Sequence, residues 1–148
     1  MPAVDGGFDD EYGSATEPTE FVRTAMPLCA SLGIEATVLT AERVVLTLGW
    51  RPELCTSNGL LHGGAVMALA DAAGGACAFT NLPEGAVGTS TIESKTNFLG
   101  AIREGQTLTA TSTQLHVGRT TIVVETELRT DEGKLVGKTT QTQTVLTS

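Results

Sequence analysis

The chain is expected to fold as an α+β protein in which a curved antiparallel β-sheet wraps around one long central α-helix. Three observations point there. Residues 63–79 form a long apolar run, rich in Ala and Gly and interrupted only by Asp71, which reads as a buried helix. Two strand-like runs precede it and four follow it, separated by turn chemistry. Threonine accounts for 24 of the 148 residues, mostly in those runs, and its β-branched side chain favours a pleated surface. A helix apolar all round has to be enclosed rather than laid on an outer face, and a curved antiparallel sheet encloses it.

The elements follow in order. Residues 1–17 hold five acidic side chains and no basic one, so a disordered, solvated acidic tail is expected, followed by one domain over residues 18–148. A secretory leader needs the opposite pattern, basic and then apolar. Residues 18–32 read as a short helix, with Phe21, Ala25, Leu28 and Leu32 at helical spacing, Thr16 as its cap and Gly33 as its end. Pro27 kinks that helix or splits it in two. Residues 34–39 and 43–50 read as a hairpin through Thr40-Ala41-Glu42, and residues 51–61 as a loop turning at Ser57-Asn58-Gly59. After the apolar helix, Asn81, Pro83 and Gly85 break the chain. Strands are then expected over residues 87–99, 106–117, 120–129 and 134–146. Their separators are residues 100–105, Gly118-Arg119 and Asp131-Glu132-Gly133.

Composition narrows the function. The net charge is −8 and the nine Lys and Arg residues are scattered, which makes a poor nucleic-acid binder. The three cysteines, Cys29, Cys55 and Cys77, lie far apart, which suits reduced thiols in the cytoplasm better than a disulfide framework. No pair has zinc-ligand spacing and there are only two histidines, so no metal site is expected. The apolar run is at the short limit for a membrane span, carries an Asp in its middle and lacks flanking anchors. A buried helix fits it better.

The chemistry concentrates in residues 58–71. Gly63 and Gly64 stand at the mouth of the helix, where backbone N–H groups have no intrahelical acceptor and the dipole favours negative charge. That is the make-up of an oxyanion hole. Asp71 is the only charged residue between His62 and Glu84. A lone buried carboxylate is costly, so its presence asks for a reason. It either caps a helix break near Gly74-Gly75, pairs with an arginine, or does chemistry. Gly63 and Asp71 are eight residues apart, about 12 Å along a helix. A carboxylate that far down cannot serve a carbonyl held at its own helix mouth. Two copies of the helix packed antiparallel across a two-fold axis bring each Asp71 to the other chain's Gly63, which predicts a dimer with shared sites. His62 either is a helix-start histidine satisfied by loop carbonyls or positions an acyl carbonyl. No Ser or Cys stands at elbow spacing for a triad, and Cys77 reads as packing. Trp50 and Phe79 border the expected pocket, with a core role for both.

His62-Gly63-Gly64, with an acid nine positions after the histidine, resembles the HGG…D/E motif of hotdog-fold acyl-CoA thioesterases, in the PaaI-like branch acting on phenylacetyl-CoA and 4-hydroxybenzoyl-CoA. The resemblance covers residues 34–145, including Asn97-Phe98-Leu99, Gly118-Arg119 and residues 131–136. It implies hydrolysis of a small aryl- or medium-chain acyl-CoA, with no cofactor beyond the coenzyme A of the substrate. Asp71 is then nucleophile or general base, the Gly63 N–H with that of Gly64 stabilises the oxyanion, and His62 orients the substrate. A hydroxyl on the next strand assists: Thr91, with Ser90 and Thr89 as alternatives. The family's Asn or Gln six residues before the histidine is Thr56 here, so either Thr56 does that work or Asn58 reaches in. Gly118, Arg119, Thr120 and Arg103 either contact the nucleotide phosphates or are ordinary hairpin-end residues. Dimers are implied to pair into tetramers. Two other classes stay open on the same fold, a non-catalytic acyl-CoA sensor and an enoyl-CoA hydratase or dehydratase using His116.

Overall fold

In the computed structural model, residues 17–148 are described; the expected acidic tail, apart from Glu17, and the expected Thr16 cap lie outside the described residues. Six strands make one sheet: β1 (Glu35–Leu39), β2 (Val44–Gly49), β3 (Ala86–Phe98), β4 (Thr107–Val117), β5 (Thr121–Thr130) and β6 (Leu135–Thr147). Their order is β1-β2-β4-β5-β6-β3, with every neighbouring pair antiparallel. Among the described residues there are three α-helices, α1 (Pro18–Ala25), α2 (Pro27–Leu32) and α3 (Gly63–Phe79), and one 3-10 turn over Pro52–Leu54.

Pro27 splits the first helical segment. It has no N–H to donate and starts α2 instead, with Met26 held between the two helices at φ −127°. Glu17 occupies the cap position of α1 and Pro18 its first turn. Gly33 closes α2 at φ +74°, a left-handed conformation in which a Cβ would strain the backbone.

α3 runs from the Gly63 mouth to Phe79 without a break, through Gly74 and Gly75. Val66, Leu69, Ala70, Ala73 and Cys77 are buried against the sheet, where Leu46, Leu48, Leu108, Ile122, Val124 and Leu128 supply the opposing surface. Truncating one of these large side chains, Leu69→Ala for example, removes about 2–5 kcal/mol. One stripe of α3 is left uncovered: Gly64, Met67 and Asp71 are exposed, with Ala68 and Gly75 half-buried beside them.

The two sheet edges are finished differently. At the β1 edge, Thr19 of α1 exchanges hydrogen bonds with Ala36, donating to its carbonyl at 3.2 Å and accepting its N–H at 2.9 Å. Arg23 Nε donates to Ile34 O at 2.8 Å. Side chains thus blunt that edge. The β3 edge is 13 residues long, pairs only with β6 among the described residues, and exposes Val87, Ile92 and Phe98.

β3 is not the regular strand that period-two alternation suggests. Its register against β6 shifts between Thr91 and Glu93, leaving Ile92 as the extra residue of a bulge. Before the bulge Thr89 and Thr91 face α3; after it the inward positions are Ser94 and Thr96. The bulge therefore lies immediately beside the residue that meets α3 at its acidic side chain.

Candidate active site

The mouth of α3 is built by a tied-down loop. Leu61 N–H donates to Ile102 O at 3.0 Å and His62 N–H to Leu54 O at 2.8 Å. Trp50 Nε1 donates to Gly59 O at 3.0 Å, so Trp50 latches this loop and does not border the pocket as expected. His62 is the helix cap: its Nδ1 accepts the Gly64 N–H at 2.7 Å, and its carbonyl takes the N–H groups of Ala65 and Val66. Gly64 is consequently spent on the cap and is not the second oxyanion donor expected from the motif. Among the described residues, the Gly63 N–H has no acceptor. The ring of Phe98, at the end of β3, lies 3.4 Å from where a Gly63 Cβ would sit.

Two turns along, Asp71 is exposed rather than buried, because it falls on the stripe that the sheet leaves open. It caps no helix break, and the ion pairs among the described residues, Arg129–Glu127 and Lys138–Glu125, do not involve it. Its Oδ1 accepts two hydrogen bonds, from Thr91 Oγ1 at 2.9 Å and from Gln141 Nε2 at 2.8 Å. Of the three hydroxyls considered on β3, Thr91 is the one that reaches the carboxylate. Thr89 bonds Thr144 O, while Ser90 is exposed along the pocket rim.

Asp71 and Thr91 border a cavity of about 460 Å³ between α1, α3 and β3. Phe21 and Val22 of α1, Met26 at its end, and Ala76 and Phe79 of α3 line it, and the Phe21 and Phe79 rings lie 6.4 Å apart. Phe79 borders the pocket as expected. The α1 side chains are an addition, since amphipathic spacing in residues 18–32 marks a packing face without saying what it packs on.

The other candidates sit apart from this cluster. Thr56 and Asn58 are exposed; the Thr56 backbone closes the loop with Leu60, and Asn58 Oδ1 accepts the Leu60 N–H at 3.4 Å. Neither side chain reaches Asp71. Arg103 follows Ile102, whose carbonyl is bonded to Leu61, so it belongs to the His62–Gly63 end. The Gly118-Arg119-Thr120 turn enters β5 at Thr121, which pairs with Thr144 and through it with Ser90, so it belongs to the Asp71–Thr91 end. Arg103 and Arg119 are both exposed. His116 pairs with Val123, which points away from the face carrying buried Ile122 and Val124, so His116 does not face the acid.

On α3 the Gly63 N–H thus stands at one end and the hydrogen-bonded Asp71 carboxylate about 12 Å along, beside the cavity. Among the described residues no three His, Cys, Asp or Glu side chains are grouped to hold a metal ion, and no helix is long and apolar enough to cross a membrane.

Cys29 and Cys77 are free, buried thiols. Burial pushes the Cys77 thiol up to about 12. At pH 8 such a thiol is held almost wholly in its unreactive protonated form. Cys77 is expected to resist alkylation at that pH until the protein unfolds, and Cys77→Ala to retain full turnover. Mass-spectrometric mapping of iodoacetamide adducts, native against denatured, checks this.

A six-stranded antiparallel sheet curled around one long helix is the hotdog fold, and the family match adds the thioester-cleaving class. The chain belongs to the thioesterase superfamily, whose sequence pattern matches residues 58–137. It is 34% identical over 109 residues to the Bacillus subtilis protein named "Putative esterase ComA2", covering 74% of this chain and 86% of that one. A Haemophilus influenzae thioesterase structure superposes with a TM-score of 0.81 at 25% identity, over 90% of this chain and 93% of that one. The Escherichia coli PaaI protein from the phenylacetic acid degradation operon shares the fold, with a TM-score of 0.79 at 21% identity over 87% of this chain and 91% of that one. The chain is a hydrolase acting on thioester bonds.

Proposed function

We propose that the protein hydrolyses a small aryl- or medium-chain acyl-CoA to the free acid and coenzyme A, at sites shared between two copies of the chain. One observation carries this reading: the unpaired Gly63 N–H and the supported Asp71 carboxylate lie on the same helix but too far apart to act on one carbonyl. Met67, exposed midway between them on the uncovered stripe, marks where a two-fold axis would cross α3. Antiparallel packing there sets each Asp71 against the other copy's Gly63. The open β3 edge beside the stripe supports pairing on this side, since α1 blunts the β1 edge.

In that arrangement Asp71 takes a proton from water while the oxygen adds to the thioester carbonyl carbon, or its carboxylate adds directly and water then releases the acid. The negative charge that develops on the carbonyl oxygen faces the Gly63 N–H at the positive end of α3. Collapse breaks the C–S bond, and the leaving thiolate takes the proton. His62, held as the cap by the Gly64 N–H, fixes the backbone at the start of the helix that carries that N–H. In this reading the exposed Arg103 of one chain and Arg119 of the other bind the phosphates of coenzyme A. The substrate carries all the chemistry needed, so no further cofactor takes part. Three free thiols accord with a reducing compartment such as the cytoplasm.

The cavity of about 460 Å³ is some three times the size that holds a benzene molecule. Aryl and medium-chain acyl-CoA are therefore expected to turn over with kcat/KM at least ten times that of acetyl-CoA. Thiol release measured across acetyl, medium-chain, long-chain and aryl substrates tests the reading. Binding of acyl-CoA without any thiol release would make the protein a sensor instead.

A further inference from the structure

Behind Asp71 lies a chain of polar side chains that the motif does not contain. Gln141 and Gln143 are inward-facing residues of β6, 0% and 2% exposed, an uncommon setting for side-chain amides. Their hydrogen bonds run in one direction. Thr89 Oγ1 donates to Thr144 O at 2.9 Å, and Gln143 Nε2 donates to Thr89 Oγ1 at 3.3 Å. That fixes which end of the Gln143 amide is its carbonyl. Gln143 Oε1 then accepts from Gln141 Nε2 at 3.0 Å, while Thr91 Oγ1, also close to it, gives its single proton to the charged Asp71 Oδ1. The second Gln141 N–H goes to Asp71 Oδ1 at 2.8 Å. A backbone carbonyl thus sets the orientation of each amide in turn, up to the carboxylate.

Two further observations show that the Gln141 amide is held against a cost. Its Oε1 is buried with no hydrogen-bond partner. Turning the amide over would give that oxygen new neighbours, but it would face the Asp71 carboxylate, which can only accept. The side chain also occupies the space a Cβ at Gly74 would need, overlapping its amide. α3 therefore has a glycine where Gln141 passes beneath it on the way to Asp71.

We propose that Gln141 is a positioning residue: with Thr91 it pins Asp71 Oδ1, so that Oδ2, to which nothing donates among the described residues, is the oxygen that reacts. Gly74 is the second part of the device, the gap through which the amide reaches. This rests on the reading of Asp71 as the acid of hydrolysis. Losing one hydrogen bond to a charged group is expected to lower kcat by roughly 10- to 100-fold. KM should stay within twofold, because Gln141 does not touch the substrate.

The test uses the full chain and the best acyl-CoA substrate. Gln141→Met, close in volume, and Gln141→Ala are compared with the parent for kcat, KM and thermal melting. Gly74→Ala is expected to match Gln141→Ala, because its methyl displaces the amide. Adding Gly74→Ala to Gln141→Ala is expected to cost nothing more in kcat, since the new methyl enters vacated space. Unchanged kcat in Gln141→Met, a loss confined to KM, or effects of Gly74→Ala and Gln141→Ala that simply multiply would each overturn the proposal. Asp71→Asn is run alongside. If it is inactive while Gln141→Met is fully active, the positioning role alone fails; if it keeps activity, the assignment of Asp71 fails first.

Discussion

Asp71→Asn is expected to lower kcat for thioester hydrolysis by about 10² to 10⁴, the range a positioned acid–base group supplies. The substitution is nearly isosteric. The Asn carbonyl oxygen still accepts from Thr91 Oγ1 and Gln141 Nε2, the two donors that hold Oδ1 in the parent. Its NH₂ stands where Oδ2 was and can neither take a proton from water nor attack a carbonyl. Asp71 is exposed and forms no ion pair among the described residues, so its charge contributes little to folding. The melting temperature should therefore stay within a few degrees while turnover collapses. KM should hold, because the acyl pocket is walled by side chains that the substitution leaves in place. Parental rates of thiol release from purified, folded Asp71→Asn would remove the carboxylate from the mechanism.

Much of the frame is readable from the sequence because local signals agree with the tertiary arrangement. The ends of α3 coincide with the expected 63–79, and each strand lies within a residue or so of its expected limits, because Gly, Pro and Asn-Gly turns punctuate the chain where strands must reverse. Thr91 can be placed by counting back from Asn97-Phe98, with Ser90 and Thr89 kept as alternatives, although that count crosses the extra residue at Ile92. What stays hidden has physical reasons. A bulge inserts one residue with no distinctive side chain, so Ile92 looks like any other strand residue. In β6 the inward residues Thr139, Gln141 and Gln143 alternate with outward Thr140, Thr142 and Thr144, all polar. Alternation in such a stretch carries no contrast, and two buried amides pass unnoticed. Asp71 reads as buried because the helix around it is apolar on every side. Composition says that such a helix must be covered; it does not say whether the cover is the chain's own sheet or a second chain. The Gly64 N–H reads as free because a motif names residues, whereas only the geometry shows that His62 Nδ1 takes it.

Gly63→Pro isolates the oxyanion donor with little disturbance to the fold, and it also reads out whether sites are shared. Gly63 is the first residue of α3, the position where proline is best tolerated, since its missing N–H has no intrahelical partner. His62 precedes it at φ −63° and ψ 135°, within the extended region that a residue before proline prefers. The substitution thus deletes the one unpaired N–H at the helix mouth while leaving the His62–Gly64 cap possible. The Phe98 ring, half exposed, has room to shift from the added ring atoms. Loss of one such donor is expected to reduce kcat by about 10² to 10³. Asp71→Asn and Gly63→Pro chains, co-expressed with different tags and purified on both, form mixed dimers. In these, one site pairs the intact Asp71 with the intact Gly63 and the other pairs the two defects. Activity should return to about half the parental value per dimer, although each variant alone is nearly inactive. If catalysis were confined to one chain, every chain in the mixture would still lack one essential group and the mixed dimer would stay as inactive as its parents. A strictly monomeric protein in sedimentation, with full activity, would equally rule out the shared site.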